Sequence, residues 1–232
     1  MTIRVHVYPD VQQLARAAAD VVASEIGWAI TRRGVAFIAL SGGATPWLML
    51  EALRHHPIDW GATHLFQVDE RNAPQASTDR SSTQLREVLT DHIAIPDPNV
   101  HMIPITGALA ADADRYGREV HEITGGVFDL MHLGLGDDGH TASLTPGDTA
   151  LDVVDAPAVA TQEYRGYQRV TLTYPVINAA RTILWLTNGA DKAVPLQQLL
   201  QQDPAIPAGR VLQTNAQVFC DEAAMTAEHN GE

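Results

Sequence analysis

The chain has 232 residues, 45% of them hydrophobic, and a formal net charge of −13 at pH 7. This length suits one large α/β domain or two small ones, and the apolar content argues against disorder. Because an acidic protein does not attract nucleic acid or anionic membranes through its overall field, we expect neither as a partner. The single cysteine, Cys220, excludes an intrachain disulfide and stands in an apolar run that favours burial.

Targeting and metal-binding signals are not visible in the sequence. The stretch "MTIRVHVYPD" lacks the apolar core of a signal peptide, and no apolar run approaches the roughly 20 residues of a membrane span. There is no CxxC or HExxH pattern, so no metal site is expected. We expect a cytoplasmic protein that needs no obligate protein partner.

Hydrophobic periodicity predicts strands and helices that alternate along the chain. The first predicted helix stops at Gly34, and Ser81 or Ser82 is expected to cap the third. In chain order the predicted elements are strand 3–8, helix 11–30, strand 35–43, helix 45–54, strand 64–70, helix 81–92, strand 100–105, helix 108–124, strand 128–136, strands 152–164 and 168–175, strand 182–189, helix 190–202, and a last strand with a short helix over 216–225.

This alternation predicts an α/β fold. We expect a mostly parallel, Rossmann-like sheet with helices on both faces and a small appended antiparallel lobe within about 150–175. Residues 1–232 are interpreted as a single domain, with a frayed tail over 227–232. Ligands of such sheets bind at the carboxyl ends of the strands. The unusual side chains of this sequence fall at four such ends.

The first strand end is "LSGGATP", between a strand and a helix. Backbone amides of Gly42 and Gly43 could approach an anion closely, and the hydroxyls of Ser41 and Thr45 could add donors. The alternative is a tight turn in which glycine supplies only backbone freedom. A P-loop is excluded, because no Gly-Lys-Ser/Thr follows at the required spacing.

Charged side chains mark two further strand ends. Asp69, Glu70 and Arg71 stand in a row after an apolar strand; they are either an ion-pair cluster at the sheet edge or a site in which Arg71 contacts phosphate. Lys192 opens a helix, where the dipole disfavours a cation, so it either neutralises an anion or is simply solvent-exposed. Arg169, which opens the strand "RVTLT", is a further candidate cation.

The fourth strand end, "GLGDDGHTASLTPG", has the Gly-x-Gly-x-x-Gly spacing of a dinucleotide fingerprint. A dinucleotide loop opens a long helix, however, whereas Pro146 and Gly147 stop any helix here within about two turns. Two aspartates would also repel a pyrophosphate. The stretch is better interpreted as a catalytic loop in which His140 is a general base and Asp138 orients its imidazole.

Together these stretches resemble the 6-phosphogluconolactonase family. The resemblance covers about residues 37–224. The matching stretches are "ALSGGATP", "VDERNAP" followed by "SSTQLREVLTDH", "HLGLGDDGHTASLTPG", "RVTLTYPVINAARTILWLTNGADKA" and "VFCDEAA". The resemblance implies hydrolysis of 6-phospho-D-glucono-1,5-lactone, in the oxidative pentose phosphate pathway, without a cofactor.

The resemblance also implies roles for residues. His140 would activate water, and Asp138 would accompany it. The implied phosphate cradle consists of glycines, hydroxyls and basic residues, namely Gly42, Gly43, Thr45, Arg71, Arg169 and Lys192. Ser41 is a further candidate for substrate binding because of its hydroxyl group. Asp69 and Glu70 are also candidates, and they either contact substrate or only hold Arg71 in place.

Two other functions remain in consideration. A glucosamine-6-phosphate isomerase/deaminase shares the glycine loop and the Asp-Gly-His, but its Asn-Glu pair is replaced here by Leu144 and Thr145, and its usual aromatic residue by Arg71. A sugar-phosphate sensor of a transcription regulator would carry a helix-turn-helix module, for which this acidic chain has no basic helix.

Overall fold

A computed structural model describes residues 3–226 of the chain. The strands are β1 Arg4–Tyr8, β2 Ala36–Leu40, β3 Thr63–Gln67, β4 Asp69–Arg71, β5 Val100–His101, β6 Leu130–Gly134, β7 Ala158–Ala160, β8 Arg169–Leu172, β9 Thr182–Thr187 and β10 Ala216–Asp221. The helices are α1 Val11–Arg33, α2 Ala44–Leu53, α3 Ser81–Val88, α4 Leu109–Thr124, α5 Tyr174–Ala179, α6 Ala193–Leu200 and α7 Glu222–Met225. The tail over 227–232, predicted to fray, lies outside the described residues.

Seven strands form one parallel sheet in the order β1-β10-β9-β6-β2-β3-β5. Both faces of this sheet are buried, so its strands are nearly continuous apolar runs. One apolar cluster packs α1, α2 and α3 on one face, and a second packs α4, α5 and α6 on the other. The predicted α/β class with helices on both faces is confirmed.

A second, three-stranded antiparallel sheet has the order β4-β8-β7. Its strands β7 and β8 fall within the predicted lobe, whereas β4 continues directly from β3 across Val68. The predicted strand 64–70 is therefore two strands in two sheets. Val68 donates its N–H to Leu40 of the large sheet and accepts from Leu172 of the small one, which ties the sheets together.

Several predicted boundaries were wrong for identifiable reasons. Strand 168–175 ends at Leu172, because Pro175 opens the short helix α5. Strand 100–105 keeps only two paired residues, and strand 152–164 only three. Predicted helix 190–202 begins with a 3₁₀ turn, Ala190–Lys192, before α6. Gly34 does end α1, in a left-handed conformation with φ of 77°.

The predicted cap of α3 is also wrong. The residue before the first turn of α3 is Arg80, which makes no side-chain cap. The amides of Ser81 and Ser82 instead donate to the Glu70 carboxylate, each at 2.8 Å. A carboxylate at a helix N-terminus satisfies free N–H groups and interacts well with the helix dipole, so β4 supplies the cap that the helix itself lacks.

Among residues 3–226, no helix is both long and apolar enough to cross a membrane. Cys220 is fully buried beside the core, as expected from its sequence context.

Candidate active site

A cavity of about 760 Å³ opens at the carboxyl ends of β2 and β6. These two strands are neighbours, but the chain continues from β2 toward β3 on one side, while β6 leads to β9 on the other. Loops that leave such a switch point diverge and open a crevice. The cavity brings together most of the predicted site residues: Ser41, Gly42, Gly43, Thr45, Asp69, Arg71, His140, Arg169 and Lys192.

The three glycines of the apparent dinucleotide fingerprint are the last residue of β6 and two residues of the loop after it, and no helix follows that loop before Thr149. Gly136 is needed because a Cβ there would lie 2.0 Å from Nδ1 of His140. Gly139 has φ of 80°, and a Cβ on it would meet Ile206 at 2.5 Å. These glycines make room for a histidine ring and a neighbouring loop, so the loop is not a dinucleotide site.

Asp138 and His140 form a hydrogen-bonded pair within this loop. Nδ1 of His140 lies 2.6 Å from Oδ1 of Asp138, which also accepts the His140 backbone N–H at 3.1 Å. Because an ionised carboxylate can only accept, Nδ1 carries the proton and Nε2 keeps its lone pair. Among the described residues, Nε2 has no hydrogen-bond partner. His140 lines the cavity, so the arrangement is suited to a general base.

The second oxygen of the Asp138 carboxylate is held by Tyr164, whose hydroxyl donates to Oδ2 at 2.8 Å. Burial raises the pKa of Asp138, but the hydrogen bonds from His140 and Tyr164 outweigh it and lower the pKa to about 2. Burial and the bond to Asp138 raise the pKa of Tyr164 to about 12. At neutral pH the carboxylate is therefore charged and the phenol protonated.

Two arginines of the cavity form no ion pair among the described residues. Arg169 is 6% exposed, and its guanidinium makes only long hydrogen bonds of 3.4 Å, to the Ser143 hydroxyl and the Tyr164 carbonyl. Its Nε is buried without a partner. Arg71 donates to the Asp79 carbonyl at 3.1 Å. Within residues 3–226, neither guanidinium has a carboxylate oxygen inside 4.0 Å, which leaves both available to an anion.

The other two cations of the cavity are paired. Lys192 contacts Asp191 at 3.0 Å, and Arg165 contacts Asp137 at 2.6 Å. Both pairs are partly exposed, so each is weak and exchangeable with a bound anion. Arg165 was missed by sequence analysis, which singled out Arg71, Arg169 and Lys192 alone.

His132 on β6 holds the glycine loop that follows β2 through two hydrogen bonds with Ser41. The Ser41 amide donates to Nδ1 of His132 at 3.3 Å, and the Ser41 hydroxyl donates to the His132 carbonyl at 3.1 Å. Burial lowers the pKa of His132 to about 3, so its ring is neutral. The Thr45 hydroxyl bonds to the Asn188 side chain. Each hydroxyl therefore already donates its one proton to a protein acceptor, and only its acceptor capacity remains for a ligand.

Asp69 and Glu70 occupy different environments despite being adjacent. Asp69 lines the cavity and accepts from the Ser143 hydroxyl at 2.5 Å. Burial raises its pKa, against the opposing effects of Ser143 and Arg169. Glu70 is fully buried and is the only predicted substrate-binding residue that does not line the cavity. Its carboxylate accepts from Gln67, Arg71, Ser81 and Ser82.

Within residues 3–226, Asp137, Asp138 and His140 form a group that could by type hold a metal ion, and their ligand atoms lie within 4.8 Å of one another. Each carboxylate is already bonded to protein donors, Asp137 to Arg165 and Asp138 to His140 and Tyr164. These bonds account for the cluster without an ion.

Comparisons with known proteins show the family of the chain and agree with the fold. The chain belongs to the family of glucosamine-6-phosphate isomerases and 6-phosphogluconolactonase, whose model matches residues 9–220. It is 36% identical to the 6-phosphogluconolactonase of Synechocystis over 228 residues, covering 94% of this chain and 95% of that protein. The 6-phosphogluconolactonase of Haemophilus influenzae is 32% identical over 222 residues, covering 91% and 95%.

Solved structures show the same fold. The crystal structure of 6-phosphogluconolactonase from Thermotoga maritima superposes with a TM-score of 0.86 at 27% identity, covering 94% of this chain and 99% of that one. The Rossmann-like sheet with a small antiparallel sheet is therefore the architecture of this family. The family name joins two activities, so the residues of the cavity must decide between them.

Proposed function

We propose that this protein hydrolyses 6-phospho-D-glucono-1,5-lactone to 6-phospho-D-gluconate. The observation that carries the proposal is the pairing of two features in one cavity: a histidine held by a carboxylate, and two arginines without a carboxylate partner. A phosphate on one end of the substrate suits the arginines, and an ester carbonyl on the other suits the histidine. The names of the relatives support the same substrate.

The phosphate would be bound by Arg71 and Arg169, with the amides of Gly42 and Gly43 at the start of α2 as further donors. Lys192 can also bind the phosphate if it gives up its ion pair with Asp191. Binding at this end fixes the lactone carbonyl near His140, which converts a collision between water and lactone into a reaction within one complex.

His140 would then act as the base. Its Nε2 takes a proton from water, and the oxygen of that water bonds to C1 of the lactone, giving a tetrahedral oxyanion. When the oxyanion collapses, the bond from C1 to the ring oxygen breaks. The imidazolium returns its proton to the departing ring oxygen, which becomes a hydroxyl. Asp138 stabilises the charged imidazolium and keeps the ring oriented throughout.

The isomerase/deaminase alternative has less support in this cavity. The resemblance stated above places the acidic residue of that activity at Leu144–Thr145, and here Leu144 is fully buried in the apolar core. Thr145 carries no carboxyl group, and neither residue lines the cavity. Ring opening of an amino sugar phosphate would lack that acid.

The test is lactone hydrolysis by wild type, His140→Ala and His55→Ala. The lactone is generated in place from glucose 6-phosphate by glucose-6-phosphate dehydrogenase, and its loss is compared with the spontaneous background. Because general base catalysis contributes about 10²–10⁴-fold, His140→Ala should lose that factor. His55, an exposed residue outside the cavity, serves as the control and should be unaffected by substitution.

Two outcomes would contradict the proposal. If wild type does not exceed the background, the lactone is not the substrate, and turnover of glucosamine 6-phosphate with release of ammonia would then favour the isomerase activity. If wild type is active and His140→Ala is equally active, the substrate stands but the base is misassigned. Unphosphorylated glucono-1,5-lactone should react with a much lower kcat/KM, since it lacks the group that the arginines bind.

A further inference from the structure

A hairpin turn between β7 and β8 lies at the edge of the cavity, which its residue Arg165 lines. Its four residues run from Tyr164 to Tyr167, whose backbones pair with each other. Arg165 at the tip has φ of 51°, a conformation that costs a non-glycine residue free energy. Three side chains of this hairpin bind three carboxylates on other loops: Tyr164 to Asp138, Arg165 to Asp137, and Tyr167 to Asp79, at 2.8, 2.6 and 2.9 Å.

Tyr164 differs from the other two because its partner belongs to the His140 pair. Besides the 2.8 Å bond to Oδ2 of Asp138, its hydroxyl lies 3.5 Å from Nδ1 of His140. The two rings meet edge to face, with centroids 5.4 Å apart. The phenol is thus placed against both members of the pair.

Asp138 depends on this contact for its orientation. Its Oδ1 accepts from the ring and backbone of His140, whereas among the described residues Oδ2 accepts from Tyr164 alone. The Asp138 side chain is 32% exposed, so without the phenol water would compete for Oδ2 and the carboxylate could rotate. A hydrogen bond to an ionised acceptor is among the stronger ones in proteins.

Tyr164 also contacts the anion-binding side of the cavity. The guanidinium of Arg169 lies 5.3 Å from the centroid of its ring, and that of Arg165 lies 5.0 Å from it. The Tyr164 carbonyl accepts from Arg169 at 3.4 Å. These contacts use the ring and the backbone, whereas the contact with Asp138 uses the hydroxyl. The two roles can therefore be separated by removing the hydroxyl alone.

We infer that Tyr164 is a positioning residue that holds Asp138, and through it His140, in the reactive geometry. This inference rests on the proposed function, because it concerns the base of that reaction. Tyr164 does not exchange protons with the substrate. Its hydroxyl fixes the carboxylate, and the carboxylate fixes the tautomer and angle of the imidazole.

Removing the hydroxyl should change the rate of the chemical step more than substrate binding. In Tyr164→Phe the ring still stacks under Arg169, so KM should stay within about twofold of wild type, while kcat should fall about tenfold for one lost bond to a charged group. A hairpin with a merely structural role would give the opposite result, a raised KM from displaced arginines with little change in kcat.

The pH profile provides a second readout. The bond from Tyr164 is one of those that lower the pKa of Asp138, so its loss raises the pKa of that carboxyl and makes it a stronger acceptor. The acid limb of kcat/KM should move to higher pH. The other charged groups near the pair are unchanged in the variant: Asp137, Arg165, Arg169 and Lys192.

Tyr167→Phe is the matched control. It removes the same atom from the same hairpin and breaks a bond to a carboxylate, Asp79, but it does not touch the His140 pair. Thermal unfolding of both variants shows whether the hairpin is retained. The expected result is a lower kcat and a shifted acid limb in Tyr164→Phe only.

Three results would overturn the inference: kcat and acid limb equal to wild type in Tyr164→Phe, a raised KM with unchanged kcat, or the same effects in Tyr167→Phe. Failure of the proposed function looks different, because wild type itself would then not exceed the background hydrolysis. In that case the inference fails with it, and the two variants would show no activity to compare.

Discussion

Replacing Asp138 by asparagine should keep the hydrogen bonds of the pair but remove its negative charge. The introduced amide has nearly the shape of the carboxylate. Its oxygen can still accept from the ring and backbone N–H groups of His140, and its NH₂ group can donate to the Tyr164 hydroxyl oxygen. The imidazole therefore keeps its tautomer, but the imidazolium that forms during the reaction no longer lies beside a carboxylate.

The size of the effect follows from the lost charge. The imidazolium that forms during the reaction loses its bond to a charged carboxylate, worth about 1.5–3 kcal/mol. At 1.36 kcal/mol for each factor of ten, this loss lowers kcat by between about 10 and 10².

The assay compares Asp138→Asn, His140→Ala and the double variant in lactone hydrolysis above background. Because both side chains act as one unit, the double variant should be no slower than His140→Ala alone. Thermal unfolding should change little in Asp138→Asn, since the geometry is retained. Activity equal to that of wild type, or a double variant with additive losses, would refute the assignment of the pair.

Two further predictions concern the floor of the cavity. Gly136→Ala should lower kcat by at least about tenfold, because the added Cβ would lie 2.0 Å from the His140 ring and displace it. Gly134→Ala is the control: no atom lies within 4 Å of its added methyl, so its kcat should fall far less in the same assay. His132, held neutral by burial with a pKa of about 3, takes up its proton only on unfolding, so its contribution to stability is lost as pH falls from about 6.5 toward 3. Urea unfolding measures the free energy of unfolding at each pH. Between pH 6.5 and 5 this free energy should fall by about 2 kcal/mol more in wild type than in His132→Asn, at about 1.4 kcal/mol per pH unit. Equal decreases in the two proteins would show that the ring does not resist protonation.

The sequence predicted the large sheet well, because buried parallel strands leave continuous apolar runs that end in glycine or charge. It did not predict that the run ending at Arg71 divides between two sheets at Val68. That division depends on pairing with β8, a hundred residues later in the chain, and pairing at such a distance leaves no local pattern.

The sequence predicted those site residues that stand close together in one loop. It did not predict contacts between residues that are far apart in the chain. The neighbourhood of Asp138 and His140 could be inferred because both stand in one short loop. Tyr164 and Arg165 could not, since "EYRGYQ" looks like an ordinary polar turn and its value arises from where the hairpin folds. Glu70 was expected to bind substrate from its place beside Arg71. Strand alternation directs it away from the cavity, toward the amides of α3.

The position of Glu70 also bears on how the cavity wall moves. Its carboxylate is fully buried and accepts four N–H groups, two of which begin α3. Fraying the start of α3 would leave a buried negative charge without these partners, which is costly. Glu70 therefore joins the start of α3 to the small sheet that carries Arg71, and local opening of this wall requires the loss of those bonds. The hairpin between β7 and β8 belongs to the same sheet, and its Tyr167 bonds to Asp79, which Arg71 also contacts. Substrate would therefore enter a cavity in which the anion-binding wall and the hairpin move as one unit.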